Sequence, residues 1–152
     1  MSAEDKAKEL GLDLGGASPP VANYVATVRT GNLVFVSGQL PTRSDGSRPI
    51  GKLGAEVSVE EGYDAARLAA VGLLARVRAE TGSLDRVKRV VKVTGFVNAT
   101  PDFTQHPRVI NGASDLLAEV FGEAGRHARA AIGVGSLPLG APVEVELIVE
   151  VE

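Results

Sequence analysis

One arginine, Arg129, has the surroundings of a residue that binds a small ligand. Its neighbours Ala128, Ala130 and Ala131 are small and apolar, so a ligand could approach the side chain. The guanidinium group is a planar fork of N–H donors that matches a carboxylate with two parallel hydrogen bonds, and partial burial strengthens the pair. The alternatives are an exposed strand arginine or one paired with a structural glutamate. The residues alone leave these interpretations open, and the first of them is a small carboxylate-bearing ligand held by Arg129.

The C-terminal segment VEVELIVEVE offers acidic side chains that could complete such a site. Its residues alternate between apolar and acidic types, so a strand would place the valines on one face and the glutamates on the other. Most of these acids fit a solvated strand face. One of them, Glu144, could act as a general base or hold a water molecule, provided that it lies beside Arg129.

The two histidines, His106 and His127, are a weaker signal. A histidine pair can supply the acid and base for RNA cleavage, but two scattered histidines are common in chains of this size. Neither lies in an H-x-x-x-H pattern, and there is no cysteine to add a thiolate ligand. The segment GVGSLPLG at 133–140 does not match a phosphate-binding loop. We therefore expect no metal and no other cofactor.

Composition sets the class of protein. The chain has 152 residues with 23% charged and 44% hydrophobic residues, typical of one globular domain. Its start, MSAEDKAKEL, is charged where a signal peptide is apolar, and no stretch approaches the ~18 to 20 apolar residues of a membrane span. The net charge of -3 and aromatic fraction of 4% argue against nucleic acid as a partner. We expect a cytoplasmic protein that binds no membrane.

Hydrophobic spacing predicts the elements that must position these residues. Two β-rich segments separated by the turn residues at 30–32 predict a hairpin. Ser58 and Glu61 form the S-x-x-E capping box that starts a helix. The first 20 residues are predicted to be a peripheral extension, and the polar stretch 41–55 a mobile loop. The predicted strands are 24–29, 33–38, 84–97, 128–138 and 143–152, and the predicted helices are 58–81 and 103–121.

This order, β-β-α-β-α-β-β, predicts an α+β fold with one sheet. Two helices can cover only one face of a sheet. The run Leu33, Val34, Phe35 and Val36 is nevertheless apolar on both sides of its strand. A second copy of the chain is the simplest cover for the other face, so we expect a homo-oligomer.

Three motifs together resemble the Rid/YjgF family. They are VFVSGQLP at 34–41, FVNATPDF at 96–103, and HARAAIGVGSLP at 127–138 followed by VEVE at 143–146. This is the family of reactive intermediate deaminases, also called L-PSP endoribonucleases. The resemblance runs from Tyr24 to the C-terminus. It implies a chorismate-mutase-like fold and a homotrimer with ligand clefts between neighbouring subunits.

The resemblance also assigns roles to residues. It implies that Arg129 is the catalytic arginine, which holds the carboxylate of a 2-imino or enamine acid while water adds to the C=N carbon and ammonia leaves without a cofactor. Glu144 is implied to position the water. The implied substrate-binding positions are Tyr24, Ser37, Gly38 and Ala131.

The chain differs from the family pattern at three points. His127 replaces a proline, Ala131 replaces a cysteine found in many members, and an asparagine is replaced near Thr100 or Pro101. The leading hypothesis is a deaminase of small imino or enamine acids. The alternative is a protein that binds a metabolite acid in the same cleft without turnover. An endoribonuclease is the weakest hypothesis, because the acidic composition offers no basic groove.

Overall fold

The computed structural model describes residues 1–15 and 22–152, so the end of the predicted N-terminal extension lies outside the described residues. Three short 3₁₀ turns, at Leu84–Arg86, Gly122–Gly125 and Pro138–Gly140, join the regular elements. The helices are α1 (Ala3–Glu9), α2 (Val59–Thr81) and α3 (His106–Phe121), and the strands are β1 (Thr27–Thr30), β2 (Leu33–Gln39), β3 (Val87–Asn98), β4 (Ala128–Val134) and β5 (Val143–Val151).

The strands form one sheet in the order β1-β2-β5-β3-β4. Neighbours are antiparallel except β3 and β4, which run parallel, and β4 is an edge strand. Helices α2 and α3 pack against each other and against one face of the sheet. This arrangement confirms the predicted α+β fold with two main helices on one face of one sheet.

Local sequence signals explain most of the element boundaries. The hairpin turn is Gly31–Asn32, and Gly31 adopts a φ of 57°, which favours glycine. Ser58 and Glu61 form the complete capping box at the start of α2. Strands β1 and β3 and helix α3 each start three residues later than predicted. A hydroxyl cap from Ser83 turns residues 84–86 into a 3₁₀ turn ahead of β3, and α3 begins at His106 because a turn precedes it.

The core lies between the helices and the covered face of the sheet. Strand β5 shows this most clearly, since its alternate apolar residues are buried while the acids between them are not. Helices α2 and α3 approach closely at Gly112, where a Cβ would collide with the Tyr63 carbonyl oxygen. The N-terminal helix, expected to be peripheral, contributes one buried side chain, Ala7, to this core.

The other face of the sheet carries exposed apolar side chains. Val28, Phe35 and Ile132 are 54%, 41% and 45% exposed. Val28 is paired with Phe35, and Phe35 with Ile148, so an apolar row crosses β1, β2 and β5. In one chain nothing covers this row within the described residues.

The segment predicted as a mobile loop is tied to the sheet at its C-terminal end. The Leu53 amide donates to the Asn98 carbonyl oxygen at 2.8 Å, and the Thr100 amide donates to the Leu53 carbonyl oxygen at 3.0 Å. The Lys52 ammonium donates to the Asn98 side chain and to the Gly135 carbonyl oxygen, both at 2.7 Å. In the described part of the chain, no helix is long and apolar enough to cross a membrane.

Candidate functional site

Arg129 lies on the edge strand β4 and points toward helix α3. It is paired with Val93 of β3, whose side chain is fully buried on the helix-covered face. Because parallel strands in register share the same face at paired positions, Arg129 projects to that face too. At the sheet edge the cover is incomplete, so the arginine is half-buried. A ligand at this edge would meet a partly desolvated guanidinium group, where a charged hydrogen bond is strengthened.

The guanidinium group is held on one side by α3. Its Nη1 donates to Asn111 Oδ1 at 2.9 Å and to Ser114 Oγ at 3.1 Å. Its Nη2 is 3.5 Å from the Pro107 carbonyl oxygen, a long contact. Among the described residues, no acceptor bonds to Nε. The Nε–Nη2 edge therefore has donors left for a carboxylate, while the protons of Nη1 are already used.

His127 joins this arrangement through Ser114. Its Nδ1 lies 2.6 Å from the Gly125 carbonyl oxygen, and its Nε2 lies 2.8 Å from Ser114 Oγ. A carbonyl can only accept, so Nδ1 carries the proton, and in the neutral ring Nε2 accepts from the Ser114 hydroxyl. Burial, with a smaller contribution from the Arg129 charge, lowers the pKa of His127 and favours this neutral ring.

Small residues follow Arg129 along the same side of β4. Ala131 is half-buried, and Gly133 leaves room for the His106 ring, whose Nε2 would be 2.5 Å from a Cβ there. Phe103 packs edge-on against that ring with the centroids 5.2 Å apart. We call Arg129, Ala131, Asn111, Ser114 and His127 the arginine cluster. It lines the seam between β4 and α3.

The other predicted site residues form a second group, the glutamate cluster of Tyr24, Ser37, Gly38 and Glu144. A Cβ on Gly38 would lie 2.5 Å from a Glu144 carboxylate oxygen, so only glycine allows this approach. The Ser37 hydroxyl donates to the Val25 carbonyl oxygen at 2.7 Å, next to the exposed Tyr24. Burial, and to a smaller extent the nearby Glu146, raises the pKa of Glu144.

Arg129 and Glu144, the two predicted catalytic residues, lie on opposite faces of the sheet. On β3, Arg129 is paired with the buried Val93 and Glu144 is paired with Phe96. Residues 93 and 96 are an odd number of positions apart, so their side chains and those of their partners lie on opposite faces. Strand β3 also separates β5 from β4, which adds about 10 Å across two strand spacings. Within one chain Glu144 therefore does not lie beside Arg129, so the condition set for a general base is not met there.

Sequence reasoning missed the α3 residues that hold Arg129. Asn111 and Ser114 are three positions apart on a helix, a spacing that places two polar side chains on one side. The signal was present, but which side of α3 faces β4 depends on tertiary packing. In the described residues no group of three or more His, Asp or Glu side chains is placed to hold a metal ion.

The fold belongs to the single-sheet α+β proteins of the chorismate-mutase-like type. A family model described as "YjgF/chorismate mutase-like, putative endoribonuclease" matches residues 4–151. The chain therefore belongs to the Rid/YjgF family.

The similarity to other proteins extends over nearly the whole chain. Protein TCP17 of Trypanosoma cruzi is 51% identical over 94% of this chain and 90% of its own length. A crystal structure named a "putative endoribonuclease" from Shewanella oneidensis is 35% identical, with a TM-score of 0.95 over 99% of this chain and 100% of that one. The structure of E. coli TdcF with bound serine is 26% identical, with a TM-score of 0.66 over 90% of this chain and 94% of that one.

Proposed function

We propose that this protein is a hydrolytic deaminase of small 2-imino or enamine carboxylic acids. The observation that carries the proposal is the state of Arg129. Its Nη1 is tied to α3, its Nε–Nη2 edge has donors left, and the small Ala131 follows it at an open sheet edge. The Nε–Nη2 edge of the guanidinium group supplies the two parallel donors that bind a carboxylate.

We further propose that the complete site forms between copies in a homotrimer. Arg129 and Glu144 lie on opposite faces of one sheet, so one chain does not bring them together. The exposed apolar row that includes Val28 and Phe35 is a surface that another copy would bury. The edge strand β4 is a further open element that a neighbouring copy would cover.

The proposed reaction needs a carboxylate anchor and a base. Arg129 fixes the carboxylate and so orients the adjacent C=N carbon. The Glu144 carboxylate of a neighbouring copy removes a proton from water as its oxygen bonds to that carbon, which moves the C=N electron pair to nitrogen. The nitrogen takes up a proton from solvent as it gains that pair, which gives the carbinolamine. Glu144 then returns its proton to this nitrogen and accepts the hydroxyl proton as the C–N bond breaks and the C=O bond forms; Glu144 finally releases that proton to solvent. A 2-keto acid and ammonia are the products, and no oxidant or cofactor is consumed.

The environment of Glu144 suits the role of base. Burial raises the pKa of this carboxyl, with Glu146 adding a smaller effect. A carboxylate with a raised pKa is a stronger base than an ordinary glutamate, provided that the working pH keeps it ionised. Gly38 leaves the space that this carboxylate occupies, which a side chain at that position would fill.

A second candidate function is ligand binding without turnover. Two observations favour it: Ala131 carries no reactive side chain, and the related TdcF holds serine, a small carboxylate-bearing molecule. Endoribonuclease activity, the function in several relatives' names, is less well supported. Both ring nitrogens of His127 bond to the protein, which leaves His106 without a histidine partner for acid–base cleavage.

The deciding experiment follows freshly generated 2-iminopropanoate. An amino-acid oxidase produces the imine from alanine, and the release of pyruvate and ammonia is compared with and without the protein. We expect wild type to accelerate release and Arg129→Ala to match the buffer rate. If wild type never exceeds the buffer rate, the deaminase proposal is wrong; a carboxylate that stabilises the protein and is recovered unchanged would then favour the binding function.

A further inference from the structure

The side chains on α3 that hold Arg129 have no assigned role. We propose that Ser114 and His127 are positioning residues that fix the Arg129 guanidinium so that its Nε–Nη2 edge faces the ligand carboxylate. The inference rests on the proposed function of Arg129. It concerns a chain of hydrogen bonds behind the arginine rather than the contact with the ligand.

The geometry makes this chain directional. Arg129 Nη1 donates to Ser114 Oγ at 3.1 Å, the Ser114 hydroxyl donates to His127 Nε2 at 2.8 Å, and His127 Nδ1 donates to the Gly125 carbonyl oxygen at 2.6 Å. With His127 neutral, the state that its burial favours by lowering its pKa, each group has one consistent role, because a guanidinium cannot accept and a carbonyl cannot donate. With the Ser114 proton committed to His127, the Ser114 oxygen presents lone pairs to Arg129.

The arrangement also limits the rotation of the guanidinium plane. Asn111 Oδ1 and Ser114 Oγ accept from the same Nη1, so that nitrogen is held at two points. Because the guanidinium group is planar, fixing Nη1 also fixes the direction of the Nε–Nη2 edge. An arginine without these partners would rotate freely until the ligand bound, and the entropy lost at that moment would weaken binding.

Substitutions at Ser114 separate positioning from simple stability. Ser114→Ala removes the hydroxyl, Ser114→Thr keeps it, and Ser83→Ala is the matched control because it removes a capping hydroxyl elsewhere. We expect Ser114→Ala to raise the KM for 2-iminopropanoate and the Kd for pyruvate about tenfold with a smaller change in kcat. Ser114→Thr should restore both values, and Ser83→Ala should leave them at wild type even if its Tm falls.

A sharper test asks whether the effect of Ser114→Ala on KM depends on the presence of Arg129. If Ser114 acts only through Arg129, then Ser114→Ala should change KM less than about twofold when Arg129 is already lysine. The same holds for His127→Ala, which removes the acceptor that orients the Ser114 proton. Equal losses in the wild-type and Arg129→Lys backgrounds would overturn the proposal, because Ser114 would then act independently of the arginine.

A spectroscopic measurement keeps this test separate from the proposed function. In side-chain ¹⁵N spectra, the Nη protons of Arg129, assigned by their loss in Arg129→Lys, should be resolved in wild type because rotation about Cζ–Nη1 is hindered. Ser114→Ala should broaden or merge them. If wild type neither turns over imine nor binds pyruvate, the deaminase and ligand roles fail, yet this spectrum still reports positioning. Unchanged Arg129 signals in Ser114→Ala would overturn the proposal in either case.

Discussion

Replacing Arg129 by lysine tests whether two hydrogen bonds, rather than charge alone, hold the ligand. Lysine keeps the positive charge but offers a compact ammonium in place of a planar fork. In the structure the guanidinium serves α3 through Nη1 and keeps the Nε–Nη2 edge for a ligand. A single ammonium cannot present the two parallel donors of that edge to a carboxylate.

The expected size of the effect follows from the hydrogen bonds that lysine cannot make. A charge-assisted hydrogen bond contributes about 1.5 to 3 kcal/mol, so Arg129→Lys should reduce kcat/KM by roughly one to two decades. Arg129→Ala should lower it at least as far. Arg129→Ala also removes two half-buried hydrogen bonds of about 1 kcal/mol each, which corresponds to a fall in Tm of about 4 to 8 °C.

The assay is steady-state deamination of 2-iminopropanoate beside thermal melting for wild type and both variants. Arg67→Lys is the matched control, because Arg67 forms a surface ion pair with Glu119 at 3.1 Å on the helical layer. It should keep wild-type kinetics. If Arg129→Lys keeps full activity, bidentate binding is refuted. If Arg129→Ala fails to fold, Arg129 is a structural residue and the site assignment is wrong.

Three further predictions concern neighbouring residues. Gly38→Ala should slow turnover about 10- to 100-fold, because its Cβ would lie 2.5 Å from a Glu144 carboxylate oxygen and must displace it; wild-type rates in steady-state kinetics would contradict this. Glu144→Gln should abolish turnover yet raise Tm at pH 7, because the raised pKa of Glu144 means that its ionised carboxylate destabilises the fold. In melts across pH, the higher Tm of Glu144→Gln relative to wild type should disappear below pH 4.5, the ordinary glutamate pKa, where the carboxyl is protonated in both the folded and unfolded states. A Tm difference that does not change with pH would refute this. The pKa of His127 is lowered by burial, so its neutral ring stabilises the fold above pH 6.5. That stabilisation is lost as pH falls from 6.5 toward the pKa in the folded state, so the difference in Tm between wild type and His127→Gln should become smaller on acidification.

Local signals in the sequence predicted the elements because each depends on nearby residues. The Ser58 and Glu61 capping box fixes the start of α2 without reference to the rest of the fold. The alternation in β5 fixes which of its residues are buried. The count of two helices indicated correctly that one face of the sheet is left uncovered within one chain, and Phe35 of β2 is exposed on that face.

Long-range pairing explains what the sequence did not predict. Arg129 and Glu144 lie on opposite faces because β3 pairs with both β4 and β5 in particular registers, and such pairings have no local signature. The hydrogen bonds from Arg129 to Asn111 and Ser114 depend on which side of α3 faces the edge strand β4. The predicted site residues came from the Rid/YjgF resemblance and remain a prediction; the resemblance did not indicate the chain of hydrogen bonds through His127.

The most direct test of the central claim combines two variants in one assembly. Arg129→Ala and Glu144→Gln are co-expressed with different tags, and species that carry both tags are assayed with 2-iminopropanoate. If each cleft takes Arg129 from one copy and Glu144 from its neighbour, a mixed trimer has one cleft with both residues, so about a third of wild-type activity should return. Co-expressed Arg129→Ala carrying both tags is the control and should stay inactive. Activity in the mixed species no higher than in either variant alone would contradict a shared deaminase site.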